Sequence, residues 1–314
     1  MKKDGLNAGF STRFCRKCLA ISLSVEEMNR FAKMTDSGYD VYKSYGFSKG
    51  HPIGIHEAAD RIVADMVGNG YYIDFIETLM RVESKGYMGH KYAFRGLDDV
   101  VGDVLQAGYS YDKATGQFFE DQSQQVTRNW GRLMEGDERH IAVLRLDIAG
   151  NSVIVKNNPK QLVDKAFGDL RKIVTWAVVS RLGRLWTWEG DGGLGVFMLG
   201  DYSRLAIFAA MEILNKMFIY NKCDNPLNSA FKLRIAVHSG HLTYSESPTQ
   251  FLKTDTVKTA IMLESKAAVP NSLVVSESLA MSQDQSLLNI FSDPKVVSNS
   301  TDKYRVYQAV QAKH

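Results

Sequence analysis

The sequence predicts an α+β protein: a mainly helical region over residues 21–135, then a βαββαβ sheet domain over residues 138–314 with its helices packed on one face of the sheet. Three observations predict it. Between residues 50 and 108, apolar residues recur at helical spacing and each run stops at a glycine. Near Glu138 the period changes to that of a buried strand. From there strand and helix patterns follow in the order β, α, β, β, α, β, then α, β and a last strand.

Residues 1–20 are polar and aperiodic and read as a flexible tail. Ser24 and Glu27 form a capping-box pair, and Met28, Phe31 and Met34 follow on one helical face. The run His56–Val67 carries Ala59, Ile62, Val63 and Met66 on one stripe and stops at Gly68. Tyr72–Ser84 stops at Gly86, and Leu97–Ala107 stops at Gly108. The turn-rich stretch 109–117 reads as a short hairpin. Ile141–Ile148 is a buried-strand run broken by one arginine and ended by Gly150. Lys160–Leu182 is an amphipathic helix with Leu162, Ala166, Leu170, Ile173, Val174, Ala177 and Val178 at helical spacing. Leu185–Trp188 and Leu194–Leu199 flank Gly-Asp-Gly-Gly, the signature of a hairpin. Tyr202–Tyr220 is a helix with Asp201 near its start, Phe231–His238 a strand, Asp255–Ala267 a helix, and Leu273–Val275 and Tyr304–Ala309 strands.

Composition narrows the function. The chain has 314 residues, room for about two domains of ordinary size. Its 38 basic and 35 acidic residues give a net charge of +3, too balanced for a nucleic-acid-binding or membrane-surface protein. No apolar run reaches the roughly 18–20 residues that span a bilayer, and the N-terminus has no secretory h-region. Three cysteines fit a reducing, cytoplasmic setting. Neither nucleic acid nor membrane is expected as a partner.

Several motifs carry little. Gly190-Asp191-Gly192-Gly193-Leu194-Gly195 matches a dinucleotide fingerprint in letters, but a strand follows it where that fingerprint needs a helix. His56-Glu57 begins like a zinc-protease helix, but the second histidine is missing. Cys15 and Cys18 have the spacing of half a zinc site without its partner half. Trp186 and Trp188 alternate along a strand and so share one face, either as packing or as a platform for a base. A winged-helix-like DNA reader over residues 50–110 is disfavoured by the near-neutral charge.

Two aspartates carry the chemistry. Asp147 ends the buried strand before a small-residue loop, and Asp191 sits at the hairpin tip, 44 positions later. In a βαββ unit the first strand lies beside the hairpin, so both carboxylates meet at one sheet end. Two carboxylates there repel unless a cation joins them. Mg²⁺ suits this arrangement because it takes few carboxylates and completes its shell with water and substrate phosphate. Backbone N–H groups between Ala149 and Ser152 face the same end and suit phosphate oxygens. Each aspartate also has a bland reading, Asp147 as a helix-start residue and Asp191 as a turn residue.

Four segments together resemble the successive motifs of class III nucleotidyl (adenylate/guanylate) cyclase domains. They are Leu-Asp-Ile-Ala-Gly-Asn-Ser (146–152), Trp-Thr-Trp-Glu-Gly-Asp-Gly-Gly (186–193), Leu-Arg-Ile-Ala-Val-His-Ser-Gly (233–240) and the segment 257–267. The resemblance covers about residues 138–314. It implies a ferredoxin-like βαββαβ palm, a homodimer with each site between two catalytic domains, and two Mg²⁺ or Mn²⁺ ions. The ribose 3′-hydroxyl of an NTP substrate would attack the α-phosphate and expel pyrophosphate. Carried over by position, Asp147, Asp191 and the carbonyl of Ile148 would hold metal. Gly150, Asn151 and Ser152 would form the triphosphate loop, and Arg234 would pair with the terminal phosphates.

The other half of the pattern departs. Thr187 stands where the family places a base-selecting lysine or glutamate, and Phe251 where it places a base-reading aspartate. Asp255 is the other local candidate for reading a base. Lys258 and Met262 stand where asparagine and arginine orient the ribose and stabilise the transition state. These departures leave room for a pyrimidine nucleotide, as in the family's uridylate and cytidylate cyclases. Two readings follow: an active nucleotidyl cyclase whose helical N-terminal region regulates or stabilises the dimer, or a catalytically degenerate cyclase-like module that binds nucleotide or scaffolds signalling.

Overall fold

The computed structural model describes residues 12–48, 50–113, 115–121, 127–298 and 302–308. It divides into two compact units, Met1–Arg132 and Leu133–His314.

The first unit is helical: α1 (Thr12–Ser22), α2 (Val25–Thr35), α3 (Val41–Ser44), α4 (Ile55–Gly68), α5 (Tyr72–Lys85) and α6 (Leu97–Gln106), closed by a hairpin of β1 (Tyr109–Asp112) and β2 (Gln117–Glu120). The expected tail over residues 1–20 is corrected by α1. Cys15, Cys18 and Leu19, at spacings of three and four, bury one face of that helix. Residues 1–11 lie outside the described residues. The two thiols are therefore core side chains, and burial pushes that of Cys18 up to about 11. Ser24 and Glu27 make the reciprocal capping box at α2. Helix α4 runs through Gly68, and the left-handed residue beyond it is Gly70 (φ 76°).

The second unit contains β3 (Glu138–Ile148), α7 (Asn151–Asn157), α8 (Lys160–Val179), β4 (Arg184–Glu189), β5 (Gly192–Phe197) and α9 (Tyr202–Cys223). It continues with β6 (Leu233–Thr243), α10 (Pro248–Phe251), α11 (Asp255–Ala267), β7 (Ser272–Ser276), α12 (Glu277–Ala280), α13 (Gln285–Leu288), β8 (Lys295–Val296) and β9 (Lys303–Gln308). Seven strands form one sheet in the order β4-β5-β3-β6-β7-β9-β8, with β3 antiparallel to both β5 and β6 and β7 parallel to β6. This is the α+β arrangement expected, with β3 at the centre of the βαββαβ core.

The helices cover both faces, where one was expected. Side chains alternate across a strand. Leu144, Leu146, Ile235 and Val237 point into the large core under α8 and α9. Ala236 and Val274 point the other way, against Leu263 and Ala267 of α11. The nearly continuous apolar run Ile141–Ile148 of β3 is the signature of a strand buried on both sides, and its Arg145 and Asp147 both lie on the α11 face. On α8 the buried stripe begins at Val163, and Leu162 is 37% exposed.

His238, on the α11 face of β6, shares a hydrogen bond with Ser276 Oγ at 2.8 Å. Burial lowers its pKa from 6.5 to about 4; the carboxylate of Asp302 opposes the shift and His140 adds to it. The folded state therefore binds this proton later than the unfolded chain. The stabilisation is complete above about pH 6.5 and is lost as pH falls toward 4, by up to about 3 kcal/mol. His238→Gln is expected to flatten that part of the acid limb, measured by urea unfolding at about pH 7 and about pH 4.5.

Candidate functional site

The last residues of β3 set the site. Leu146 and Ile148 anchor the strand in the core beneath α8 and α9, so Asp147 between them is turned to the α11 face. Its side chain is 16% exposed. Across the sheet Asp147 is registered with Arg234 of β6. On the other side comes β5, which begins immediately after the hairpin turn holding Asp191. Glycine is required at the first strand residue there: a Cβ on Gly192 would sit 2.7 Å from the Leu146 carbonyl oxygen and 3.3 Å from Asp147 Oδ1. The backbone next to Asp191 is thus pressed against the Asp147 carboxylate. The register of β3 with β5 brings Asp147 and Asp191 to one end of the sheet.

Arg234 bridges two acids. Its Nη2 donates to Asp147 Oδ2 in a close ion pair, and its Nε lies 2.9 Å from Glu264 Oε1 on α11. Glu264 is 4% exposed. Burial raises its pKa, Arg234 opposes this, and Asp147, with a smaller contribution from Asp191, raises it further. Three carboxylates and two guanidinium groups, those of Arg234 and Arg145, therefore share one electrostatic neighbourhood. Past the strand, Gly150 takes a left-handed conformation (φ 76°) that turns the chain into α7. Asn151 and Ser152 open that helix, and Asn151 Oδ1 is buried without a hydrogen-bond partner. Ile148 buries its side chain, so it offers the site only backbone.

The expected base- and ribose-facing positions are not gathered here. Phe251 ends α10 fully buried, stacked on Trp186 with ring centroids 4.2 Å apart and planes at 21°, and Tyr244 packs its edge on Trp186 at 5.8 Å. It presents nothing to a base in this conformation. Thr187 is half-buried beside a β-bulge between Leu185 and Thr187. That bulge corrects the expectation that Trp186 and Trp188 share a face. Trp186 joins the Phe251 stack, while Trp188 packs against the α8–α9 core and over Gly193. Asp255 and Lys258 are exposed on α11, 3.6 Å apart, away from its buried residues Thr256, Val257 and Ala260. Met262 packs against the apolar cluster of Ala236, Leu263 and Val274.

Two residues escaped the sequence reading. Glu264 stands at a core position of α11, and Arg145 interrupts the apolar run of β3. In each case a charge on a buried stripe is the signal, because such groups stay buried only when something compensates them.

The donors suit a hard divalent ion that takes its remaining ligands from phosphate and water: two carboxylates and a strand-end carbonyl, all oxygen. Among the described residues no group of three or more His, Cys, Asp or Glu side chains could hold a metal by itself.

No family model and no curated protein matches the chain. The solved structures it resembles are cyclase domains. The guanylyl cyclase domain of the RhoGC fusion protein from the aquatic fungus Blastocladiella emersonii is 20% identical, with a TM-score of 0.46 over 55% of this chain and 98% of that one. The adenylyl cyclase CyaB from P. aeruginosa is 14% identical, with a TM-score of 0.47 over 57% and 98%. An adenylate/guanylate cyclase/hydrolase from Silicibacter pomeroyi is 23% identical, with a TM-score of 0.44 over 56% and 99%. At these values the likeness carries nothing about activity, substrate or assembly. No described helix is long and apolar enough to cross a membrane.

If Phe251 is a core residue, Phe251→Ala should cost about 3–5 kcal/mol of stability, read from chemical denaturation. A loss below about 1 kcal/mol would place the ring outside the core.

Proposed function

We propose that Leu133–His314 is the catalytic unit of a nucleotidyl cyclase, converting an NTP to a 3′,5′-cyclic nucleotide and pyrophosphate. The observation that carries this reading is the meeting of Asp147 and Asp191 at one sheet end, with Arg234 and the Gly150–Ser152 loop beside them.

Asp147, Asp191 and the Ile148 carbonyl would hold two Mg²⁺ or Mn²⁺ ions. When bound, such ions lower the cost of forming the 3′-alkoxide and offset the charge of the leaving pyrophosphate. The backbone of Gly150, Asn151 and Ser152 would donate to phosphate oxygens. Arg234 is oriented by Glu264 through Nε, which leaves its Nη groups to fork onto the terminal phosphates once Asp147 is otherwise engaged. Glu264 thus positions the arginine and touches no substrate.

The site is completed by a second copy of the chain in this reading. Asp255 and Lys258 lie on the exposed side of α11, away from its buried residues, as residues serving a partner's site would. Lys258 would bring a positive charge to the partner's phosphates, and Thr187 with Asp255 would meet the ribose or base. The choice of base stays open, because Phe251 is committed to the Trp186 stack. The helical unit would regulate or stabilise the dimer.

A second reading rests on Phe251 and Met262. Both occupy apolar packing where the family pattern needs polar groups, as expected of a degenerate module that binds NTP without turning it over.

Incubation of the full chain with each of the four NTPs and Mn²⁺, with products read by mass spectrometry, separates the two readings. The cyclase reading expects one cyclic nucleotide, and it expects Asp191→Ala to reduce product by at least about 10³-fold while unfolding like the wild type. Nucleotide-dependent thermal stabilisation with no cyclic product from any NTP would favour the degenerate module.

A further inference from the structure

Arg145 has no role in the resemblance and no hydrogen-bond or ion-pair partner among the described residues. It sits on β3 two residues before Asp147, between Leu144 and Leu146, both of which are fully buried. Strand alternation places it on the α11 face with Asp147. Its neighbours in register are Leu194 on β5 and Ala236 on β6, neither of whose side chains can accept a hydrogen bond. Its Nε is buried and unbonded, and among the described residues its guanidinium makes no hydrogen bond or ion pair. The residue is half-buried, and Nε is the one of its donors that is both buried and unbonded.

The head of this side chain has a definite place. Nη2 lies 3.1 Å from the point where a Cβ on Gly192 would sit, and Asp147 Oδ1 lies 3.3 Å from the same point. The guanidinium therefore reaches the hairpin next to Asp191, at the edge of the carboxylate cluster, without pairing to any member of it. Its charge is felt there, since it opposes the upward shift of Glu264. Arg234, by contrast, has already engaged Asp147 and Glu264. The position where the resemblance places a transition-state arginine is Met262, which is packed in an apolar cluster.

We propose that Arg145 is a substrate-contacting residue, a guanidinium held in reserve in the same chain for the polyphosphate of the nucleotide. This rests on the cyclase reading for its reaction but not for its ligand. In the reaction, the 3′-oxygen forms a bond to the α-phosphorus and the bond from that phosphorus to the bridging oxygen breaks. Pyrophosphate leaves with the electron pair, and the 3′-hydroxyl proton passes to solvent. Negative charge grows on the bridging oxygen and the α-phosphoryl oxygens. A planar donor fork at that point takes the place of the charge that Met262 does not supply. The guanidinium fork explains why arginine is needed there, since an ammonium of shorter reach offers a point charge without paired donors.

The probe is inorganic tripolyphosphate with Mn²⁺, titrated calorimetrically into the full chain, with NTP turnover measured beside it. Arg145→Ala is expected to weaken tripolyphosphate binding at least tenfold and to lower kcat more than it raises KM; Arg145→Lys should recover part of both. Arg145→Met keeps the stem in the core, so it serves should the alanine variant unfold. Binding within twofold of wild type for both Arg145→Ala and Arg145→Met would overturn the proposal, as would failure of the wild type to bind tripolyphosphate. Unchanged tripolyphosphate binding with a changed choice of NTP would also overturn it, by assigning Arg145 to the base. Weakened binding in the variants without turnover of any NTP by the wild type would support the polyphosphate contact and sink the cyclase reading instead.

Discussion

Charge confinement at the end of β3 governs the second unit. Asp147, Asp191 and Glu264 converge where a glycine backbone leaves no room for a side chain, and Glu264 is nearly sealed from water. Like charges brought that close raise one another's proton affinity unless cations offset them. In the structure Arg234 does this by bridging Asp147 and Glu264. Arg145 reaches the same region with its donors unspent. A fold that needed only stability would fill these positions with apolar side chains, which are often as stable as a buried ion pair. Three acids and two guanidinium groups are instead retained at one sheet end, as the proposed site for divalent ions and phosphate requires.

The rest of the unit serves that placement. Both faces of β3 are covered, so Asp147 cannot rotate away from α11 without exposing Leu146 and Ile148. The close approach at Gly192 ties the hairpin to the strand. The bulge at Trp186 and the one-turn helix ending in Phe251 together make an aromatic plug beside the hairpin. That plug stiffens β4 and takes Phe251 away from any solvent-facing role. Lys258 and Asp255 pair with each other on the exposed side of α11.

Much of this was legible in the sequence. A strand ended by Asp147, a hairpin marked by glycines around Asp191 and an arginine opening the next strand are local signals, and local periodicity places them. The place of the first strand beside the hairpin follows from the βαββ order. What was not legible depends on contacts between distant segments. The bulge that separates Trp186 from Trp188 has no signature in an alternating pattern. Phe251 was assigned by motif spacing, which says nothing of the aromatic ring waiting for it on β4. Cys15 and Cys18 drew attention as thiols, although with Leu19 they trace the buried stripe of a helix. Glu264 and Arg145 were visible as charges in apolar stripes, but their meaning required the coordinates that bring them beside Asp147.

The account stands on Asp147 and Asp191 acting together on divalent ions beneath a polyphosphate. Anomalous diffraction from crystals of the full chain grown with Mn²⁺ and a non-hydrolysable NTP analogue tests this directly. Manganese peaks bounded by both carboxylates and by phosphate oxygens are the predicted result. A bound analogue with its manganese remote from either aspartate would contradict it.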